Sequence, residues 1–99
     1  MANIEHYNRL ARAFAPLLQD LSAMWPKQDL NYAREEVEHF EFGEALENLI
    51  AVGLQNGKGF SLAHLEQIEE LATAMEMTDS PFLLQLRQAG TRMKGHAAA

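Results

Sequence analysis

Residues 29–54 read DLNYAREEVEHFEFGEALENLIAVGL, and this stretch decides the fold. In its first half the apolar residues Leu30, Ala33, Val37 and Phe40 recur at three- and four-residue spacing, which predicts a helix over about Asp29 to Phe42. In its second half they are Ala45, Leu46, Leu49, Ile50 and Val52, with Leu54 closing. At about 100° per residue the two sets point nearly opposite ways. Either one long helix is covered on different faces in its two halves, or the chain breaks and reorients. The break is the simpler solution, and Gly43 is its expected place, because glycine is where a helix most readily yields.

The same stretch concentrates the acid. Glu35, Glu36, Glu38, Glu41, Glu44 and Glu47 fall within thirteen residues. Residues 34–79 carry eleven acids against two bases, Arg34 and Lys58, a net of −9. Residues 1–33 are balanced, and 80–99 are basic through Arg87, Arg92 and Lys94, so the formal −6 of the chain is a local field. Glu35, Glu38, Glu41 and Glu44 have no lysine or arginine four residues on, so they repel one another instead of lacing a helix. A one-signed surface speeds encounter with a basic partner. Tyr32 and Phe42, beside and within the run, are aromatics with possible surface access, and a ring amid acid is a natural anchor for a cationic surface.

Working outward, helical period dominates and no strand is expected. A first helix begins after Asn3 as N-cap and buries a stripe of Tyr7, Leu10, Phe14, Leu17, Leu21 and Met24. Pro16 predicts a kink or restart within it, and Trp25-Pro26 ends it. Asn56-Gly57-Lys58-Gly59 reads as a turn. Ser61 then caps a helix, with Phe60 stapled on Leu65 and a buried stripe of Leu62, Leu65, Ile68, Leu71, Ala72 and Met75. Ser80-Pro81 opens a last helix to about Met93 that buries Phe82, Leu83, Leu86 and Ala89, with fraying from Gly95. The fold class is therefore all-α: a compact bundle of four to five mostly antiparallel helices, one domain over 1–95 and a disordered tail over 96–99.

With 99 residues and 47% hydrophobic composition, the chain suits a single core. It contains no cysteine, which removes disulfides, thiolate nucleophiles and thiolate-ligated zinc. The N-terminus has neither a signal-like nor a membrane-spanning apolar stretch, and the acidic balance disfavours duplex DNA and anionic membranes. The expected address is cytoplasmic, with no direct nucleic-acid or membrane partner.

Little here suggests catalysis. Ser61 and Ser80 are explained as helix caps, and Gly57 and Gly59 lack the Gly-Lys-Ser/Thr continuation of a phosphate loop. Glu36-Val37-Glu38-His39 puts a carboxylate and an imidazole on one helical face, as in di-iron bundles, but those need two such copies and two further glutamates. One copy reads as a solvated glutamate–histidine pair. No catalytic residue, metal ligand or cofactor is assigned. The cations from Arg87 to Lys94 read as favourable charge near a helix C-terminus.

A resemblance carries the reading further. Glu36-Val37-Glu38-His39-Phe40, then Gly43-Glu44-Ala45-Leu46-Glu47-Asn48-Leu49, then Phe60-Ser61-Leu62 and Leu65-x-x-Ile68-Glu69-Glu70-Leu71-Ala72-x-Ala74-Met75 together resemble the small helical immunity proteins of bacterial contact-dependent and polymorphic toxin systems. The likeness covers about residues 30–76. It implies a protein that is not an enzyme and that binds and neutralises a cognate toxin C-terminal domain, often a basic nuclease, inside the producing cell. On that reading the toxin-binding residues are Glu35, Glu38, Glu41 and Glu44, supported by Glu47 and Tyr32, which mimic nucleic-acid phosphate in the toxin's cleft. A monomer is expected, with a dimer open. The alternative is a helical adaptor or oligomerisation module without inhibitory role, suggested by the amphipathic first helix and by the expected exposure of Met24, Met75, Met77 and Met93.

Overall fold

A computed structural model describes residues 4–55 and 60–98, the stretch 90–98 as backbone only. Five helices follow one another: α1 (Ile4–Ser22), α2 (Lys27–Glu38), α3 (Phe42–Gln55), α4 (Leu62–Ala74) and α5 (Pro81–Ala98). They form an all-α bundle with a radius of gyration of 13.5 Å, against about 13 Å for a compact domain of this size. The proposed cap at Asn3 and the turn over Asn56-Gly57-Lys58-Gly59 lie outside the described residues.

The centre of the bundle is α3, which packs on α2, α4 and α5, while α1 packs on α2 and α4. This follows from its composition. Phe42, Ala45, Leu46, Leu49, Ile50 and Gly53 are all buried, a stripe wide enough to need cover from several sides. The other helices each offer one stripe: Leu10, Phe14, Leu17, Leu18 and Leu21 from α1, Leu30 and Ala33 from α2. From α4 come Ile68, Leu71 and Ala72, and from α5 Leu83 and Leu86.

The outer positions of several expected stripes emerge into solvent. Tyr7, Met24, Leu62 and Phe82 are exposed, because a stripe drifts off the contact face toward the ends of a short helix. Met75 and Met77, by contrast, pack against the core. The helix α1 runs without a restart through Pro16, whose ring is exposed, so the lost amide is taken up at the solvent face. The helix α5 continues past Met93 and through Gly95 to Ala98, beyond its expected end.

The phase change in the middle of the chain is a true break, but it falls at residues 39–41 and not at Gly43. The helix α2 ends with the Phe40 amide donating to the Val37 carbonyl at 3.1 Å and the Glu41 amide to the Glu36 carbonyl at 2.7 Å. This is a Schellman ending, with Phe40 at the left-handed position, φ 60°. The helix α4 ends the same way: Glu76 donates to Thr73 at 3.2 Å, Met77 to Ala72 at 2.8 Å, and Glu76 has φ 57°. Neither position is the glycine that usually fills it. Gly43 sits inside α3, where Met77 leans over it.

At the start of α4 the local chemistry matches the sequence. The Ser61 hydroxyl accepts from the His64 amide at 3.1 Å, and the His64 Nδ1 accepts from the Ser61 amide at 3.3 Å. This is a capping box with imidazole in the place of glutamate. Phe60, just before it, is buried against Trp25, ring centroids 5.4 Å apart, and lies on the bare backbone of Gly53.

Candidate functional site

The break shapes the acidic run. The Glu41 carbonyl accepts from the Ala45 amide at 3.0 Å, so Glu41 is the N-cap of α3 as well as the last residue of the α2 ending. Glu44 then lies in the first turn of α3. Glu36 reaches across from α2, where its Oε1 accepts from the Asn48 side-chain amide at 3.2 Å. Carboxylate oxygens of Glu36, Glu41 and Glu44 come within 4.8 Å of one another. All three gather at the start of α3, where the helix dipole and the unpaired amides of the first turn favour negative charge.

The six glutamates therefore do not act as one surface. Glu35 and Glu38 are exposed on α2, away from the buried side defined by Leu30 and Ala33. Glu41 and Glu44 are exposed at the elbow. Glu47 turns inward: its Oε2 accepts the Ser80 hydroxyl at 2.9 Å, tying α3 to the start of α5. Ser80, expected as a simple cap, is buried and serves as that tie. Among the described residues, none of Glu35, Glu36, Glu38, Glu41 and Glu44 makes an ion pair. Arg87, expected to serve only the α5 dipole, instead forks onto Glu69, with Nε–Oε2 and Nη2–Oε1 both 2.8 Å, and its Nη1 donates to the Thr78 carbonyl at 3.2 Å. That hydrogen-bonded guanidinium holds the Glu69 carboxyl below its usual range despite some desolvation.

The aromatics also redistribute. Tyr32 is 71% exposed on α2, as expected of a surface ring. Phe42 is not a surface ring: starting α3 one residue after the break, it is buried and stacks on Phe14 at 5.8 Å. The ring beside the acid is Phe40, 42% exposed, packed on Tyr7 of α1 at 5.3 Å. Tyr7 itself is 38% exposed and also lies 6.1 Å from Phe42. Phe40 was read as a core position of α2 and Tyr7 as a core position of α1, so neither was a candidate. The signal for Phe40 was its place at the very end of a stripe, between the two phases.

Chemically the elbow offers carboxylates and rings, a set suited to cations. Glu36, Glu41 and Glu44 provide oxygen donors of the kind hard divalent ions take, although exposed acids gather in this way without an ion as well. Glu36 and His39 do not form a pair: Glu36 turns to Asn48, and the His39 Nδ1–H donates to the Glu35 carbonyl at 2.8 Å at the helix end. Elsewhere, a shallow groove between α1 and α4 is lined by Ala13, Pro16, Leu71 and Ala74, with Gln67 and Glu70 as its polar members. None of the helices, over the described residues, is long and apolar enough to cross a membrane. No protein-family model, curated protein or solved structure matches the chain.

Proposed function

We propose that this chain is an immunity-type inhibitor that binds a basic toxin domain through the elbow between α2 and α3. The observation that carries the reading is the cluster of Glu36, Glu41 and Glu44, converging at the start of α3 with no ion pair to any of the three among the described residues. Acid held on rigid helix ends presents a fixed pattern of negative charge, which steers a basic partner and sets its register. The resemblance over residues 30–76 supplies the kind of partner: a cationic nuclease cleft that ordinarily holds phosphate. Glu35, Glu38 and Tyr32 extend the contact along α2, whereas Glu47 acts by holding α3 and α5 together.

The test is co-expression with the C-terminal domain encoded by the gene immediately upstream. The chain should restore growth to cells that this domain kills, and the purified pair should associate faster at low salt than at high salt. Growth that stays suppressed, or association indifferent to salt, would refute the reading.

A further inference from the structure

The residue at the crest of the elbow is the least expected one. Phe40 occupies a left-handed backbone conformation that costs a side-chain-bearing residue roughly 1–2 kcal/mol, at a position where glycine would serve the Schellman ending better. The half-exposed ring also lies 5.8 Å from the buried Phe42 ring, so aromatic contact offsets part of that cost. It is packed on Tyr7, which is also half-exposed, and these rings come from helices far apart in sequence. Ile4, one turn before Tyr7 on the same face of α1, is exposed as well. The result is an aromatic step, directly followed in the chain by Glu41, the middle member of the carboxylate cluster.

We infer that Tyr7 and Phe40 form the centre of the docking surface, and that the group they receive is an arginine side chain of the basic partner. This rests on the reading of the elbow as the site for that partner. Charge complementarity selects a cationic occupant over an apolar one. The rings then select guanidinium over ammonium, because a planar, weakly hydrated guanidinium stacks on an aromatic face while its N–H groups fork onto a carboxylate alongside. A lysine ammonium keeps its water and uses the acid alone. The field of the elbow thus attracts any basic surface, and the step discriminates which cation is held.

The experiment uses fluorescein-labelled octa-arginine and octa-lysine, equal in charge, titrated against the whole chain at low salt and followed by anisotropy. Wild type should bind octa-arginine about fivefold more tightly than octa-lysine. Phe40→Gly, which suits the left-handed backbone, should fold as wild type does, lose that preference and leave octa-lysine affinity unchanged; Tyr7→Ser should act likewise. Equal binding of the two peptides, unaltered by Phe40→Gly, would overturn the role of the aromatic step while leaving the elbow as a basic-partner site. Failure of both peptides to bind would overturn the elbow reading itself. A wild-type dimer that Phe40→Gly dissociates would assign the rings to self-association and overturn the inference.

Discussion

The Ser80 hydroxyl donates to the Glu47 carboxylate at 2.9 Å across 33 residues of chain. Glu47 thereby serves as a strut between α3 and α5. Ser80 is buried and Glu47 half-buried, and a hydrogen bond to a charged acceptor contributes about 1.5–3 kcal/mol. Ser80→Ala should lower stability by about 1–2 kcal/mol in urea unfolding, with octa-arginine affinity unchanged. A loss of binding without loss of stability would return Glu47 to the contact surface.

Two glycines of α3 should respond in opposite ways. A Cβ on Gly53 would overlap the Phe60 ring, which is wedged against Trp25 and cannot retreat. Gly53→Ala should cost about 2–3 kcal/mol through this overpacking. A Cβ on Gly43 would meet the Met77 sulfur at 3.2 Å and its Cε at 3.6 Å, the yielding end of a flexible side chain. Gly43→Ala should be neutral or stabilise by up to about 0.5–1 kcal/mol, since alanine is the better helix former. Thermal unfolding of the pair separates the two outcomes.

Glu76 is an exposed residue at the left-handed end of α4. Glu76→Gly should raise stability by about 0.5–1 kcal/mol. At Phe40 the same exchange also loses the contacts with Tyr7 and Phe42, each worth about 0.5–1.5 kcal/mol, so Phe40→Gly should be neutral to mildly destabilising. Chemical denaturation of both variants checks the contrast; a Phe40→Gly loss well above 2 kcal/mol would mean that the ring is there for the fold.

The Glu69–Arg87 fork sets an acid sensitivity. Arg87 lowers the Glu69 carboxyl in the folded state, so its contribution to stability is fully present above the unfolded carboxylate range, about 4.3, and is lost as pH falls through the lower folded value. The pair is exposed and screened by solvent, so the effect is small. Unfolding midpoints between pH 6 and about 3 should fall more for wild type than for Arg87→Met.

Much of this was legible in the sequence, and the remainder fails for identifiable reasons. The opposed phases of Val37 and Ala45 required a break, and Ser61 is a cap whose partner lies three residues away. Such local relations are written in spacing. The exact position of the break was not, because the left-handed residue proved to be Phe40 while the nearby Gly43 offered an easier reading. Moving the break by three residues buried Phe42, exposed Phe40 and placed Glu41 at a helix start. The Glu36–Asn48, Glu47–Ser80 and Glu69–Arg87 contacts join different helices, and no periodicity announces them. Tyr7 belongs to its stripe by spacing, but among the described residues no neighbouring helix covers that end of α1 fully.

The central claim is that the elbow, and not acidity as such, receives a basic partner. Glu41→Gln with Glu44→Gln removes two charges there; Glu66→Gln with Glu70→Gln removes two from the exposed side of α4. The two double variants have equal net charge. Octa-arginine anisotropy at low salt should show at least about tenfold weaker binding for the elbow variant and a change within about threefold for the α4 variant. Equal weakening by both would contradict the account, since binding would then follow total charge instead of the site.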